Sequence, residues 1–98
     1  MTLPYCRVWP NNTGVGRDMS GERIIRFGLK GSPDIIGIYK GLFLGIEVKT
    51  GNAKQSKDQK NFQRMVDMVG GLYVLCRDTN VEQIETIVEQ QYQERVNG

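Results

Sequence analysis

The step that most constrains this chain is the pair Lys40-Gly41. Ile35-Ile36-Gly37-Ile38-Tyr39 stands before it, and Leu42-Phe43-Leu44 follows, running on into Gly45-Ile46-Glu47-Val48-Lys49-Thr50. Short, apolar, β-branched runs separated by two residues that end in glycine read as two antiparallel strands joined by a tight turn. Side chains along a strand alternate between faces. Glu47 and Lys49 therefore share a face, roughly 7 Å apart along the chain, while Ile46 and Val48 point the other way. Twelve residues separate Asp34 from Glu47, and folding the hairpin back on itself sets the two carboxylates side by side. Two carboxylates and an ammonium are thus expected to converge at the open end of one hairpin.

That combination suits metal-assisted hydrolysis of a phosphodiester. Asp34 and Glu47, with the Val48 carbonyl, offer the oxygen ligands that a hard divalent cation prefers, and leave positions for water and phosphate. Oxygen donors admit both Mg²⁺ and Mn²⁺. Such an ion polarises a phosphoryl oxygen and activates a water. Lys49, a compact point charge, is placed to orient that water and to stabilise the growing negative charge. The plainer alternative makes Glu47 and Lys49 a solvated pair and Pro33-Asp34 an ordinary turn. Either half alone fits that alternative; both halves together, in this order and spacing, favour chemistry.

The rest of the chain narrows the choice by exclusion. It contains no histidine, so neither a Ser-His-Asp nor a Cys-His mechanism can be assembled. Its two cysteines, Cys6 and Cys76, are too few for a disulfide framework and, without histidine, do not suggest zinc; buried thiols are expected. Ninety-eight residues, 39% hydrophobic and 24% charged, describe one small globular domain spanning 1–98. No apolar run reaches membrane-spanning length and the N-terminus carries no signal-peptide pattern, so an intracellular home and no membrane partner are expected. Charge is uneven. Residues 1–78 hold twelve Lys/Arg against seven Asp/Glu, a balance of +5, and residues 79–98 hold one Arg against four Glu, a balance of −3. A basic surface of this kind permits nucleic-acid binding. Arg7, Arg17, Arg23, Arg26 and Lys30 are the candidate phosphate contacts in the front section, with Lys54 and Lys57 behind the hairpin.

Gly31-Ser32-Pro33-Asp34 followed by Glu47-Val48-Lys49 resembles the PD-(D/E)xK nuclease signature, and more narrowly the VRR-NUC family of virus-type replication-repair nucleases. The narrower resemblance adds Arg7-Val8-Trp9-Pro10-Asn11-Asn12-Thr13-Gly14, Gln55-Ser56-Lys57-Asp58-Gln59 and Gly70-Gly71-Leu72-Tyr73-Val74-Leu75, and covers roughly Arg7 to Arg77. It implies an α/β fold of the restriction-endonuclease-like kind, a mixed β-sheet flanked by helices. It implies a structure-selective DNA endonuclease acting on branched DNA, flaps or Holliday junctions, in a viral or phage setting and hence in the cytoplasm of a bacterial host. It brings Gln59 into the site beside Asp34, Glu47 and Lys49. It also implies a homodimer, since stand-alone members are similar to dimeric junction resolvases and a two-fold assembly matches a two-fold junction. The broader superfamily draws a further acid from a helix ahead of the first core strand. Six residues precede Arg7 here, and Glu22 does not stand in the matching position, so the expected centre holds two carboxylates unless a partner subunit adds a group. The alternative function is a non-catalytic junction-binding module on a degenerate nuclease fold.

Along the chain, residues 5–9 read as a strand stopped by Pro10, residues 11–21 as a turn-rich loop, and residues 22–27 as another strand. Trp9, the only tryptophan, suits either stacking on a base or splayed junction or a place in the core, and the core is favoured. Ser56 with Gln59 forms a capping box for a helix over 57–69, whose stripe of Phe62, Met65, Val66 and Val69 should pack on the sheet and which Gly70-Gly71 ends. The continuous apolar run 72–76 reads as a central strand buried on both faces. Thr79 with Glu82 suggests a second capping box, opening a helix with Val81, Ile84, Ile87, Val88 and Tyr92 on its inner face and frayed residues from Gln93 on.

Overall fold

The hairpin is the centre of the molecule. In the computed structural model, which describes residues 3–12, 14–17, 20–21, 24–27 and 29–98 and only the backbone of 14–17 and 24–27, β4 (Ile35–Tyr39) and β5 (Leu42–Val48) pair antiparallel with Ile35 opposite Ile46 and Tyr39 opposite Leu42. Lys40 and Gly41 both take positive φ, 48° and 87°. Two such residues make the tight turn whose twist matches that of the flanking strands.

Two further strands complete a four-stranded sheet ordered β1-β4-β5-β6. β1 (Cys6–Pro10) runs antiparallel to β4, and β6 (Leu72–Cys76) runs parallel to β5 after a crossover through α1 (Lys57–Met68). A single 3₁₀ turn (Val81–Gln83) leads into α2 (Ile84–Asn97). β2 (Gly14–Arg17) and β3 (Ile24–Phe27) pair with each other as a separate ribbon. The result is a small α/β domain with a mixed sheet between two helices. Among the described residues no helix is long and apolar enough to cross a membrane.

The two sheet faces differ. Against α2, Tyr39, Leu44, Ile46, Leu72 and Val74 form a buried cluster with Ile84 and Val88, each fully buried side chain contributing about 1.5–3 kcal/mol. On the opposite face α1 covers only the β5–β6 half: Phe62 meets Phe43 at 6.4 Å between ring centroids, and Val66 lies so close over Gly71 that a Cβ there would sit 2.9 Å from its methyl. Arg7, Trp9, Ile36 and Ile38 alternate onto the β1–β4 half of this face, which neither α1 nor α2 covers.

α1 begins as its sequence indicates. Ser56 Oγ accepts from Gln59 N–H at 3.1 Å and Gln59 Oε1 accepts from Ser56 N–H at 2.8 Å, a reciprocal capping box. Its apolar stripe packs only in part, because Val66 is buried while Met65 and Val69 are exposed. β1 ends at Pro10, as expected, with Pro10 paired to Ile35; β1 is an edge strand, where a missing N–H costs nothing. Other expectations need correction. Residues 14–17, expected in a loop, form β2. Trp9 is 46% exposed, since α1 covers only the other half of its face of the sheet. Cys6 and Cys76 are free and only half-buried, at the margin of the core. The Thr79–Glu82 box does not form: Asn80 precedes the 3₁₀ turn and spends its side chain elsewhere. Val81 is exposed.

β6 is buried on both faces yet lies at the sheet edge, because helices cover it above and below while, among the described residues, no strand joins its far side. Side chains occupy that side instead. Gln91 donates to the Tyr73 carbonyl at 2.8 Å and accepts from the Tyr73 N–H at 3.1 Å. Asn80 donates to the Leu75 carbonyl at 3.0 Å and accepts from the Arg77 N–H at 2.8 Å. Arg95 donates to the Gly71 carbonyl at 3.0 Å and pairs with Asp67 at 2.9 Å, which holds the end of α2 in a helix where fraying was expected. At the other end of the hairpin, Tyr39 donates to Glu89, and Lys40 lies over the Tyr39 and Tyr92 rings at 5.1 and 4.6 Å.

Candidate active site

The open end of the hairpin is shaped by its glycines and one proline. Gly31, at φ 79°, passes so close to the first turn of α1 that a Cβ would stand 2.3 Å from the Asp58 carbonyl oxygen. Pro33 is fully buried with its ring above Gly45, where a Cβ would meet it at 2.7 Å. Asn11 fastens the loop from the β1 side. Its amide donates to Ser32 Oγ at 2.8 Å and to the Pro33 carbonyl at 2.9 Å, and its backbone N–H donates to the Asp34 carbonyl at 2.8 Å. Gly31→Ala is therefore expected to destabilise the fold by about 2–3 kcal/mol in urea unfolding, since alanine must both adopt a left-handed backbone and displace α1.

Asp34 emerges from this loop directly across from Glu47, and its Oδ2 accepts the Val48 N–H at 2.8 Å. A strand residue sends its N–H and C=O to the same side, so the Val48 carbonyl faces Asp34 too. Glu47 is 2% exposed. Gln59 Nε2 donates to its Oε1 at 3.0 Å, while Oε2 is buried with no hydrogen-bond partner. Gln59 thus fills both roles open to it: one end of its amide completes the helix cap and the other holds the glutamate.

The glutamate's charge is ill served by this setting. Burial and the neighbouring Asp34 carboxylate push the Glu47 carboxyl up to about 7, against a smaller opposing pull from Lys49. A buried carboxylate with one orphan oxygen normally costs several kcal/mol unless something cationic completes it. A divalent ion would do so: Asp34, the free Glu47 oxygen and the Val48 carbonyl form an all-oxygen donor set, and the residues present fit Mg²⁺ or Mn²⁺. Among the described residues no group of three or more His, Cys, Asp and Glu side chains gathers, and the carboxylates brought together here among them are Asp34 and Glu47.

Lys49 follows the last residue of β5, half-buried, its N–H donating to the Cys76 carbonyl at 2.9 Å. Its ammonium acts on Glu47 through charge. Lys57 opens α1 and Lys54 precedes it, both exposed. Lys30 is engaged with Asp58 at 3.4 Å, which ties it to the same helix end. Arg7 is exposed on the face that carries the carboxylates, two side-chain rows away from Asp34. The side chains of Arg17 and Arg26, and Arg23 and Glu22 entirely, lie outside the described residues.

Comparison of the chain with protein-family models, curated proteins and solved structures finds no match.

Some residues of the site escaped the reading of the sequence. Tyr73, taken there as one more apolar strand residue, shares a face with Glu47; the charges on Glu47 and Asp34 add to burial in raising its hydroxyl's pKa. Gln55 donates to that hydroxyl at 3.2 Å and to Gln63 at 3.1 Å. The parallel pairing of Gly45 with Tyr73 brings them in, and nothing local in the sequence announces a parallel register. Arg77 reaches the Gly51 carbonyl at 3.3 Å beside Lys54, adding a cation that the sequence-based set omitted.

Proposed function

We propose that this protein is a divalent-metal-dependent deoxyribonuclease that hydrolyses phosphodiester bonds in branched DNA, on a restriction-endonuclease-like α/β fold of the VRR-NUC kind. The observation that carries the reading is the buried Glu47 carboxyl beside Asp34, with one oxygen fixed by Gln59 and the other without a partner. A purely structural glutamate at this depth would be paired or replaced by an apolar residue.

Mg²⁺ or Mn²⁺ held by Asp34, Glu47 and the Val48 carbonyl would supply Lewis acidity at the phosphoryl oxygen. The chain's own groups do the rest. Asp34, oriented by the Val48 N–H, and Glu47, oriented by Gln59, present two fixed negative charges without the need to reorganise during the reaction. Lys49, on the same face, orients the attacking water and stabilises the charge that grows on the phosphate. Arg7, Lys54, Lys57 and, where Asp58 releases it, Lys30 hold neighbouring phosphates, which sets position and not sequence. The reading carries with it an intracellular setting, bacterial cytoplasm for a phage protein, and a homodimer, because one centre cuts one strand and a junction offers two equivalent strands.

The test is cleavage of labelled four-way junction, flap and linear duplex DNA with Mg²⁺, Mn²⁺ or EDTA. Metal-dependent cutting that favours branched substrates is expected; metal-independent cutting, or none with either ion, sinks the nuclease. Junction binding without cutting would instead support the non-catalytic junction-binding module. The two-carboxylate count among the described residues is what favours that second reading.

A further inference from the structure

On the face that carries Asp34 and Glu47, an open apolar groove of about 220 Å³ runs between the sheet and α1. Leu29, Ile36, Phe43 and Phe62 line it, with Asn11 and Ser32 adding polar atoms. Trp9 lies opposite Ile36 across β1 and β4, so its indole stands on the same face at the groove's margin. Asp34 immediately precedes β4, two residues before Ile36 and roughly 7 Å from it, a step comparable with that between neighbouring nucleotides on an extended strand. Ile36 on the groove's floor therefore stands about one nucleotide step from Asp34 along a common surface, with Trp9 beside it on the neighbouring strand.

Three features identify what the groove takes. Its margins are unusually apolar for a protein surface, with Trp9 46%, Ile38 50% and Leu29 67% exposed, yet Arg7 stands exposed on the same face. Planar apolar walls bordered by cations match a nucleobase attached to its phosphate. A second copy of this chain would bring the same basic section, +5 over residues 1–78, against itself. A base locked in duplex cannot enter a groove with an apolar floor, because its stacked faces are already occupied.

We propose that this groove binds an unpaired nucleobase next to the scissile phosphate, with Trp9 as its stacking wall, so that the preferred substrate carries a single-stranded segment beside the cut. The proposal rests on the nuclease reading and extends it to the substrate's shape. Trp9 is not a catalytic residue; it positions the strand.

Because Trp9 is the only tryptophan, its fluorescence reports on this groove alone. Lys49→Ala protein with Mn²⁺ is titrated with three DNAs: a fork with unpaired arms, a blunt duplex of equal length, and the fork with an abasic site at the first unpaired position. The fork is expected to quench Trp9 and to bind about tenfold tighter than the duplex, and the abasic fork to lose both effects. Trp9→Ala should remove the preference for the fork about tenfold, and Trp9→Phe should restore most of it, with circular dichroism confirming that both variants fold. Equal binding of fork and duplex with unchanged emission overturns the groove and leaves the nuclease standing. Absence of all DNA binding overturns both. A free protein whose Trp9 emission is that of a buried indole and which sediments as a dimer gives the face to a second copy, and likewise overturns the proposal.

Discussion

Replacement of Lys49 by alanine is expected to slow metal-dependent cleavage about 10²–10³-fold while the fold and the metal affinity are retained. The ammonium makes no hydrogen bond or ion pair to any described side chain, so its loss leaves no buried partner stranded; urea midpoints should match wild type within the ±0.5 kcal/mol usual for surface changes. Lys49 opposes the upward displacement of Glu47 by its positive charge, and the same charge repels an incoming cation. Calorimetry should therefore find Mn²⁺ bound at least as tightly by Lys49→Ala as by wild type. The pairing of tighter or equal metal binding with lost cleavage separates a group that acts on the reaction from one that builds the site. Lys49→Arg keeps the charge but spreads it over a planar fork, and should recover only part of the rate. Weakened Mn²⁺ binding in Lys49→Ala would place the lysine in the metal site's scaffolding and remove it from the chemistry.

The second large effect concerns pH. In the unfolded chain Glu47 titrates near 4.5, and in the folded protein near 7. The folded state thus holds this proton more tightly. Its contribution is fully present below about pH 4.5, declines as pH rises, and is gone above about pH 7, a loss on the order of 3 kcal/mol. Metal-free wild type should lose stability across that window relative to Glu47→Gln, whose amide cannot ionise and can donate to Asp34 while still accepting from Gln59. Urea titrations in EDTA at pH 4.5 and pH 8, taken as the difference between the two proteins, isolate this group from the other carboxylates. Near pH 8 the glutamine variant should be the more stable. Mn²⁺ should then reverse the order, because ion binding to the folded state stabilises wild type alone. A wild-type minus variant difference that stays flat with pH would mean that Glu47 is well solvated, and would remove the physical case for a metal.

Much of this site was legible because its logic is local. The Lys40-Gly41 turn dictates the register, the register sets Asp34 across from Glu47, and Ser56 and Gln59 stand three residues apart as a capping box requires. What was not legible depends on neighbours distant in sequence. The run 72–76 is apolar because α1 and α2 cover its two faces, and hydropathy counts covered faces without telling a central strand from an edge. Trp9 was expected inside because a small core tends to claim its tryptophan, but the sequence could not tell that α1 stops short of the β1–β4 half. Residues 14–17 are rich in glycine, which masks strand character that pairing with β3 brings out. Tyr73 and Gln55 entered the site through a parallel crossover, the connection least visible in a linear pattern. The expected box at Thr79 gave way to Asn80, whose amide serves the β6 edge instead.

That edge has a consequence for how copies of this chain can assemble. A sheet with two open sides can add strands without end, and an aggregate then grows as a fibre. Here Gln91, Asn80 and Arg95 stand in for a missing neighbour along β6, so among the described strands extension of this sheet is left to the β1 side. Growth from one side only stops after a single addition: two molecules joined back to back exhaust each other's capacity, and strand pairing in this sheet ends in a closed pair instead of a polymer.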